Sequence, residues 1–404
     1  MAGYSVDEVA RRAGVAPAYV DRLVHLGILT RGEGFSPGDV LRTRWVDSLE
    51  RSGVPLEGMA AAVRDGTLSF SFMDEAAFDR FTALSDTTFH GLTETKAIPM
   101  DLLRVVREAV GFGEPEPGDH VREDELSVLP AIELQLANGF HPDVIERWLR
   151  VCADSLRRVA ETEAAWWETQ VERPLLEEGM TEAEMLHRQA DLGSRMVPLI
   201  EQALLAVYHA QQEHTWRQSL AEHVEEALER AGLHRPTRRP PAICFLDITG
   251  YTRLTEERGD VAAADVAARL ARMVERSSLD HGGRPVKWLG DGVMFHFREP
   301  RGAVLAALEM VEGAAYHDLP PAHVGIHAGP VIFQDGDYFG RTVNLAARIA
   351  EYARPGEVAV SQEVVDSAEG TPVSFEEIGP VELKGVTGTL RLHTARHAGS
   401  PARG

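Results

Sequence analysis

The apolar residues of the first 70 positions recur every three or four residues, which is the spacing of one helix face. Ser5 can cap the first of these helices, and Gly14 ends it. A second helix follows, with Gly27 as its predicted C-terminal cap. The polar segment RGEGFSPGDV is typical of a small wing, and a third helix opens at Ser36.

Helix, glycine-containing turn and helix in succession form the helix-turn-helix pattern. With the wing, residues 1–70 resemble the winged helix-turn-helix domain of MerR-type regulators. A weak internal repeat extends the pattern, because the segment from Phe35 lines up with the segment from Val121. The aligned pairs include Asp39 with Glu125, Gly53 with Gly139 and Met59 with Ile145. We therefore predict a second helix-turn-helix-like unit over residues 71–160.

Residues 161–240 are predicted to form long helices followed by a stiff Pro/Arg linker, HRPTRRPPA. Two features of this region have alternative interpretations. An apolar stripe predicts either a helix–helix core or a lipid pocket, and a group of histidines is either solvated or sensitive to pH. The stripe consists of Met196, Leu199, Ile200, Leu204 and Val207, and the histidines are His209, His214, His223 and His234.

From Ile243 the pattern changes to short apolar strands that alternate with helices. AICFLDI is typical of a buried strand, and RPVKWLGDGVMFHF of a hairpin with Gly290 to Gly292 at its tip. AHVGIHAGPVIF is predicted as one further strand, and VAVSQEVV and VELKGV as the last strand region. The order βαββαβ predicts an α+β ferredoxin-like domain over residues 241–397. The whole chain is thus expected to be multidomain, with an all-α region before this sheet.

Composition and charge narrow the class of protein. A chain of 404 residues with 44% hydrophobic residues can form two or three packed domains. The net charge of −22 argues against broad, non-specific nucleic-acid binding. Cys152 and Cys244 have neither metal-ligand spacing nor a disulfide framework, and we expect two buried thiols. The start of the chain lacks a signal-peptide core and no stretch is apolar enough to span a membrane, so we expect a cytoplasmic protein without a transmembrane segment.

Two aspartates stand at positions that suit a hard cation. Asp247 ends an apolar strand, and Asp291 occupies the hairpin tip between two glycines. Flanking glycines let backbone and phosphate approach, and two carboxylates with phosphate oxygens and water complete an octahedral Mg²⁺ site. Taken alone, each aspartate is more often a turn residue.

The combination of three motifs is more specific. FLDITGYTRL, KWLGDGVMFHF and DYFGRTVNLAARI, in that order, resemble the class III adenylyl and guanylyl cyclases over about 155 residues. The resemblance implies two Mg²⁺ or Mn²⁺ ions held by Asp247, the backbone carbonyl of Ile248, and Asp291. It further implies that Lys287 and Asp337 read the purine, Asn344 positions the ribose, Arg348 stabilises charge on the reacting phosphate and Lys384 holds the terminal phosphates.

The chemistry of the side chains agrees with these roles. Asp337 can accept from the 6-amino group of adenine and Lys287 can donate to its N1, a pattern that guanine reverses. We therefore predict ATP as the substrate rather than GTP. Asn344 and Arg348 are four residues apart on a predicted helix and share one face. In this family the active site lies between two catalytic domains, so the single domain here implies a homodimer with two composite sites.

The function of the N-terminal region has two interpretations. Over residues 1–70 basic and acidic residues nearly balance, whereas DNA readers show a basic face, so we do not expect DNA binding. We expect instead a regulatory, autoinhibiting module of the kind found in actinobacterial class III cyclases, with a fatty acid, another small molecule or pH as its input. The rival hypothesis is a DNA-binding transcriptional regulator with a cyclase-like nucleotide sensor. A catalytically dead domain usually loses a metal aspartate, the asparagine or the arginine, and none is missing here.

Overall fold

The computed structural model describes residues 3–78, 80–81, 83–96, 98–233, 239–368 and 372–398. The chain separates into two compact units, one that ends at Val224 and one that begins at Glu225. His234 and most of the predicted linker lie outside the described residues. Within the described residues, none of the helices combines the length and the apolarity needed to cross a bilayer.

The first unit is helical, as predicted. Its first half contains α1 (Val6–Ala13), α2 (Pro17–His25), α3 (Pro37–Arg51), α4 (Leu56–Asp65) and two short 3₁₀ segments (Ser71–Asp74 and Ala76–Phe78). Its second half contains β1 (Leu84–Thr88), α5 (Phe89–Lys96), α6 (Met100–Ala109), β2 (His120–Arg122), α7 (Glu123–Ala137) and α8 (Pro142–Trp167). A π-helical turn (Glu168–Glu172), α9 (Arg173–Glu177) and the long helix α10 (Glu182–Arg230) follow. The boundary between the units therefore falls within α10.

The two aligned segments of the predicted repeat begin with the same helix-capping hydrogen bond. The Asp39 carboxylate accepts a hydrogen bond from the backbone N–H of Ser36 at 2.8 Å, at the start of α3. The Glu125 carboxylate accepts from the backbone N–H of Arg122 at 2.7 Å, at the start of α7. Both acids are buried and occupy the third position of their helix, where they satisfy an N–H that the helix itself leaves unpaired.

The ends of these two helices also match. Gly53 and Gly139 follow α3 and α7 with φ angles of +95° and +79°, a left-handed conformation that glycine adopts without a steric penalty. Met59 and Ile145, which align beyond the glycines, are both buried. The two segments thus form the same helix, glycine turn and helix, which supports the hypothesis of a degenerate repeat.

The segment predicted as a small wing contains a minimal strand pairing. Tyr4 and Phe35 form an isolated antiparallel bridge, with N–H···O distances of 2.8 and 3.0 Å. Gly3 and Gly34 lie so close that a Cβ on either would meet the other's backbone at 2.5 Å. The glycines of this segment therefore permit a close backbone approach, which a sequence pattern alone does not distinguish from a wing.

Helix α2, which the sequence placed where a recognition helix would lie, offers little free positive charge. Its Arg22 guanidinium pairs with Glu50 at 3.2 Å and with Glu57 at 2.8 Å. Gly27 follows the helix with φ +79°, directly after the capping residue Leu26. The ion pairs agree with the expectation that this unit does not read DNA.

The apolar stripe on α10 is mostly exposed. Leu199 is 66% exposed and Val207 is 61% exposed, whereas Met196 and Ile200 are partly buried, so the exposed members are not covered by this chain. The described histidines, His209, His214 and His223, are exposed, which agrees with the solvated interpretation. Cys244 is buried as expected, whereas Cys152 on α8 is only half-buried.

The second unit is built on a seven-stranded sheet. Its elements are β3 (Ala242–Ile248), α11 (Tyr251–Arg258), α12 (Asp260–Asp280), β4 (Gly283–Leu289), β5 (Gly292–Phe297), α13 (Pro300–Gly313) and β6 (Ala322–Ala328). After these come β7 (Ile332–Gln334), β8 (Asp337–Phe339), α14 (Arg341–Tyr352), β9 (Val358–Ser361), α15 (Gln362–Ser367), β10 (Val373–Glu382) and β11 (Thr389–His397). The strand order is β10-β11-β9-β6-β3-β5-β4. The part β6-β3-β5-β4 is antiparallel throughout and confirms the predicted βαββαβ ferredoxin-like core.

The residues of β3 alternate between the two faces of the sheet. Cys244 and Leu246 pack in the larger core with α12 and α13, whereas Ile243 and Phe245 pack with α14 on the other face. Because side chains alternate along a strand, Asp247 belongs to the α14 face. The buried strand predicted from AICFLDI therefore ends with a carboxylate beside the helix that carries Asn344 and Arg348.

Two predictions about the last third of the chain need correction. The segment predicted as one strand from Ala322 is divided at Gly329 and Pro330, since proline donates no hydrogen bond to a ladder. Its second part belongs to β7, which pairs with β8 in a separate two-stranded ribbon. The second half of the segment VAVSQEVV is not strand, because β9 ends at Ser361 and α15 begins at Gln362.

Candidate active site

Asp247 and Asp291 lie close together where adjacent strands of the sheet end. The Asp247 Cα pairs with Gly292 across the strands, so Asp291, in the two-residue turn between β4 and β5, is adjacent to that pair. A Cβ on Gly292 would stand 3.1 Å from the Leu246 carbonyl oxygen and 3.5 Å from Asp247 Oδ1. Glycine at this position thus leaves room beside the carboxylate, as the flanking-glycine argument predicted.

The electrostatics of this pair favour a bound cation. Partial burial, with the nearby charge of Asp291, raises the pKa of the Asp247 carboxyl. Both causes disfavour an ionised carboxylate, and a divalent cation would reverse them. His323, on β6, reaches Asp247 with its Nε2 3.8 Å from Oδ2. In the described part of the chain no group of three or more His, Cys, Asp or Glu residues is placed to hold a metal ion, so substrate oxygens, water and the Ile248 carbonyl would have to complete the coordination.

Lys287, on β4 of the seven-stranded sheet, and Asp337, on the separate β7–β8 ribbon, are brought together. Lys287 Nζ donates to Asp337 Oδ2 at 2.5 Å, although the residues are fifty positions apart in the chain. Asp337 Oδ1 also accepts from the backbone N–H of Tyr338 at 2.8 Å, which fixes the orientation of the carboxylate. The side chains are 38% and 26% exposed, so an ammonium donor and a carboxylate acceptor stand together at an accessible point.

Helix α14 presents the predicted ribose and phosphate residues. Asn344 is exposed and Arg348 is half-buried, one turn apart, so they share a face as predicted. The Arg348 guanidinium donates to both carboxylate oxygens of Glu351 at 2.6 Å. Glu351 was missed by sequence reasoning, although its spacing of three residues on a helix could have indicated the pair. In the predicted role of Arg348, a phosphate would have to replace Glu351 as its partner.

Lys384 does not lie with the other predicted site residues. It follows β10 in the turn that leads to β11, and β10 is one edge of the seven-stranded sheet. Lys287 lies on β4, the opposite edge. Five strands therefore separate the two lysines within one chain, and a single chain does not gather the whole predicted set at one point.

The surface beside the site is unusually apolar. Large hydrophobic side chains on the two ribbons are 45–63% exposed, although the rest of this unit buries its core residues. They are Trp288 and Leu289 on β4, Ile332 and Phe333 on β7, and Phe339 on β8. Exposed apolar patches next to polar groups commonly mark association surfaces.

Comparison with known proteins identifies both regions of the chain. Residues 236–395 match the adenylate and guanylate cyclase catalytic domain, and residues 42–215 match the adenylate cyclase regulatory domain. A pH-sensitive adenylate cyclase of Mycobacterium tuberculosis is 28% identical over 319 residues, which cover 76% of this chain and 77% of that protein. An adenylate cyclase of Streptomyces coelicolor is 32% identical over 46% of each chain. The crystal structure of the adenylyl cyclase CyaB from P. aeruginosa aligns with 23% identity and a TM-score of 0.35, over 41% of this chain and 95% of that one.

The fold and the two domain matches define an enzyme with a nucleotide cyclase catalytic domain. Residues 236–395 thus form a class III nucleotide cyclase catalytic domain, and an adenylate cyclase regulatory domain precedes it over residues 42–215. The resemblance drawn from the three sequence motifs is thereby confirmed.

Proposed function

We propose that this chain converts ATP to 3′,5′-cyclic AMP and pyrophosphate at sites completed by two copies of the chain. The ribose 3′-oxygen forms a bond to the α-phosphorus, the bond from that phosphorus to the bridging oxygen of the β-phosphate breaks, and the 3′-hydroxyl proton passes to solvent. The observation that supports ATP most directly is the 2.5 Å contact between Lys287 and Asp337, which sets a donor beside an acceptor. That pair complements N1 and the 6-amino group of adenine.

The residues fit divalent cations at the carboxylate pair. Asp247, Asp291 and the carbonyl of Ile248 would hold two Mg²⁺ or Mn²⁺ ions, which when bound supply Lewis acidity toward the 3′-hydroxyl and the phosphates. Arg348 donates to two oxygens of the reacting phosphate, and Asn344 orients the ribose from the same helix face. Lys384 holds the terminal phosphates.

The placement of these residues supports a homodimer. Large exposed apolar side chains lie on β4, β7 and β8, the strands that carry Lys287 and Asp337 or pair with them. A second copy would cover those side chains and bring the metal aspartates of one chain to the purine and phosphate residues of the other. Each chain carries both sets, so two equivalent sites would form.

Complementation tests the shared site. Asp247→Ala and Arg348→Ala chains should each be inactive alone and should regain part of the activity when mixed, because one of the two mixed sites is then intact. Two Asp247→Ala preparations mixed together serve as the control. No recovery in the mixed pair would refute the shared-site proposal, and turnover of GTP as fast as ATP would refute the substrate assignment.

We further propose that the N-terminal unit regulates the catalytic domain in response to pH or a lipid. The α10 stripe does not support a lipid pocket, but a cavity of about 520 Å³ elsewhere in this unit has an apolar, aromatic lining that would suit one. The lining includes Trp45, Phe78, Phe81 and Trp167. The activity of the full chain and of residues 235–404 should be compared across pH and with added fatty acid. Identical profiles would refute regulation by this unit.

A further inference from the structure

The ribbon that carries Asp337 is not part of the main sheet. Strands β7 and β8 pair with each other, with Gln334 opposite Asp337, and form a separate two-stranded ribbon. Lys287, its partner, lies on β4 of the seven-stranded sheet. Backbone pairing therefore does not set the distance between the two purine-reading side chains, and other contacts must hold the ribbon against the sheet.

Tyr338 provides those contacts. It is the residue after Asp337, and it is only 8% exposed. Its ring stacks on His296 of β5, with 4.3 Å between centroids and 3° between planes. Its hydroxyl accepts a hydrogen bond from Arg284 Nη2 of β4 at 2.9 Å. One side chain thus fastens the ribbon to both strands of the β4–β5 hairpin.

The ribbon is also held by the cation of Arg284. The guanidinium lies over the rings of Tyr338 and Phe333, at 5.7 and 5.6 Å from their centroids. Burial and the neighbouring Arg284 charge lower the pKa of His296 to about 4, so the ring that stacks on Tyr338 is neutral near neutral pH. A neutral imidazole that stacks on Tyr338 adds no repulsion toward the nearby Arg284 charge.

A bulge in β4 aligns Arg284 with Lys287. The strand register pairs Arg284 with His296 and Pro285 with Phe295, but then Lys287 with Met294, so Val286 is an extra residue. Without the extra residue, side-chain alternation would turn Arg284 and Lys287 to opposite faces. With it, both reach the ribbon, Arg284 at Tyr338 and Lys287 at Asp337.

We propose that Arg284, Tyr338 and His296 are positioning residues for purine selection, because they set the separation of Lys287 and Asp337. This inference rests on the proposed function, in which that pair reads adenine. The three residues do not touch the reacting atoms. Their loss should weaken discrimination between purines and raise KM for ATP, with a smaller effect on kcat.

Tyr338→Phe and Arg284→Gln test the proposal in the full-length protein. Tyr338→Phe removes the acceptor of the 2.9 Å hydrogen bond, and in Arg284→Gln the amide donor ends two atoms short of the guanidinium nitrogen and carries no charge, so the ratio of kcat/KM for ATP to that for GTP should fall by about fivefold, the worth of one hydrogen bond. Arg284→Lys keeps the charge and a longer donor and should restore part of the ratio. The penalty for purine riboside triphosphate, which lacks the 6-amino group, should shrink by a similar factor in both variants.

The controls separate positioning from folding. A variant that folds poorly loses active enzyme for both nucleotides and leaves their ratio unchanged. Tyr316→Phe, at a tyrosine that is 90% exposed, and Arg391→Gln, at an exposed arginine of β11, should keep the wild-type ratio.

The outcomes distinguish this inference from the proposed function. A wild-type enzyme with no preference for ATP would overturn the assignment of Lys287 and Asp337, and the positioning role with it. A wild-type enzyme that prefers ATP, with the same ratio in Tyr338→Phe and Arg284→Gln, would overturn the positioning role alone.

Discussion

Acidic residues serve opposite purposes in the two units of this chain. In the regulatory unit, Asp39 and Glu125 are buried and accept backbone hydrogen bonds at helix starts. In the catalytic unit, Asp247 lies half-buried beside Asp291 and a histidine, with its pKa raised by burial and by the like charge. The first two acids complete the fold, whereas the third is held at a cost that a cation would remove.

The difference shows that the buried acids of the regulatory unit contribute to stability, whereas the half-buried acid of the catalytic unit is placed for chemistry. Substitution of a buried acid whose hydrogen-bond partners lie in the same unit destabilises that unit. A half-exposed carboxylate near a like charge lowers the stability of the protein when no cation is bound. A bound cation removes that repulsion and stabilises the protein. Substitutions in the two units should therefore change different measurable quantities.

The largest effect is expected from Arg348→Ala. Removal of a donor that stabilises charge in the transition state should lower kcat by about 10²–10³-fold. The melting temperature should stay within about 1 °C of wild type, because the ion pair with Glu351, whose side chains are 39% and 59% exposed, contributes little to stability. Arg391→Ala, which removes a similar exposed ion pair with Glu377, is the control and should leave kcat unchanged. Unchanged kcat in Arg348→Ala would contradict the catalytic assignment.

Substitution of the helix-capping acids should give the opposite result, a loss of stability. Asp39→Ala and Glu125→Ala should each destabilise the regulatory unit by about 1–2 kcal/mol, because a buried N–H loses its acceptor. Urea unfolding followed by circular dichroism measures the loss. Asp101→Ala, at an exposed acid in the first turn of α6, should change stability by less than about 0.5 kcal/mol. An equal loss in all three variants would show that burial of the caps does not matter.

The stability of the catalytic unit should depend on pH through the protonation of His296. Its pKa of about 4 in the folded protein lies below the usual 6.5, so folding favours the neutral ring. Its contribution to stability is complete above about pH 6.5 and is lost as the pH falls toward 4, by at most about 1.4 kcal/mol per pH unit. His296→Phe keeps a stacking ring and removes the titration, so the variant should lose less stability over that range. Parallel curves for wild type and variant would contradict the assignment.

The smallest effect is expected from Asp247→Asn. Without metal at pH 7, the variant should melt about 1–3 °C higher than wild type, because it removes a disfavoured charge. The gain should vanish on acidification, when the wild-type carboxyl takes up a proton. Added Mg²⁺ should stabilise wild type more than the variant. Asp265→Asn, at an exposed acid of α12, should show neither response.

Local patterns predicted much of the fold because they depend on neighbouring residues. Ser5 caps α1 as expected, with its hydroxyl 3.2 Å from the Glu8 N–H, and the β4–β5 hairpin turns at Gly290 and Asp291. The pattern failed at α15, where strand and helix follow each other within a few apolar residues. The stripe on α10 shows a further limit, since periodicity indicates an apolar face but not what covers it.

The sequence by itself determined the two kinds of domain and supplied the family resemblance and the eight candidate site positions, because motif order and residue chemistry are properties of the chain. Only the tertiary structure decided which of those positions meet. Lys287 reaches Asp337 because a bulge at Val286 turns it toward a separate ribbon, and Lys384 lies at the other sheet edge. Register and strand order arise from pairing between distant segments, and no local pattern of residues specifies them.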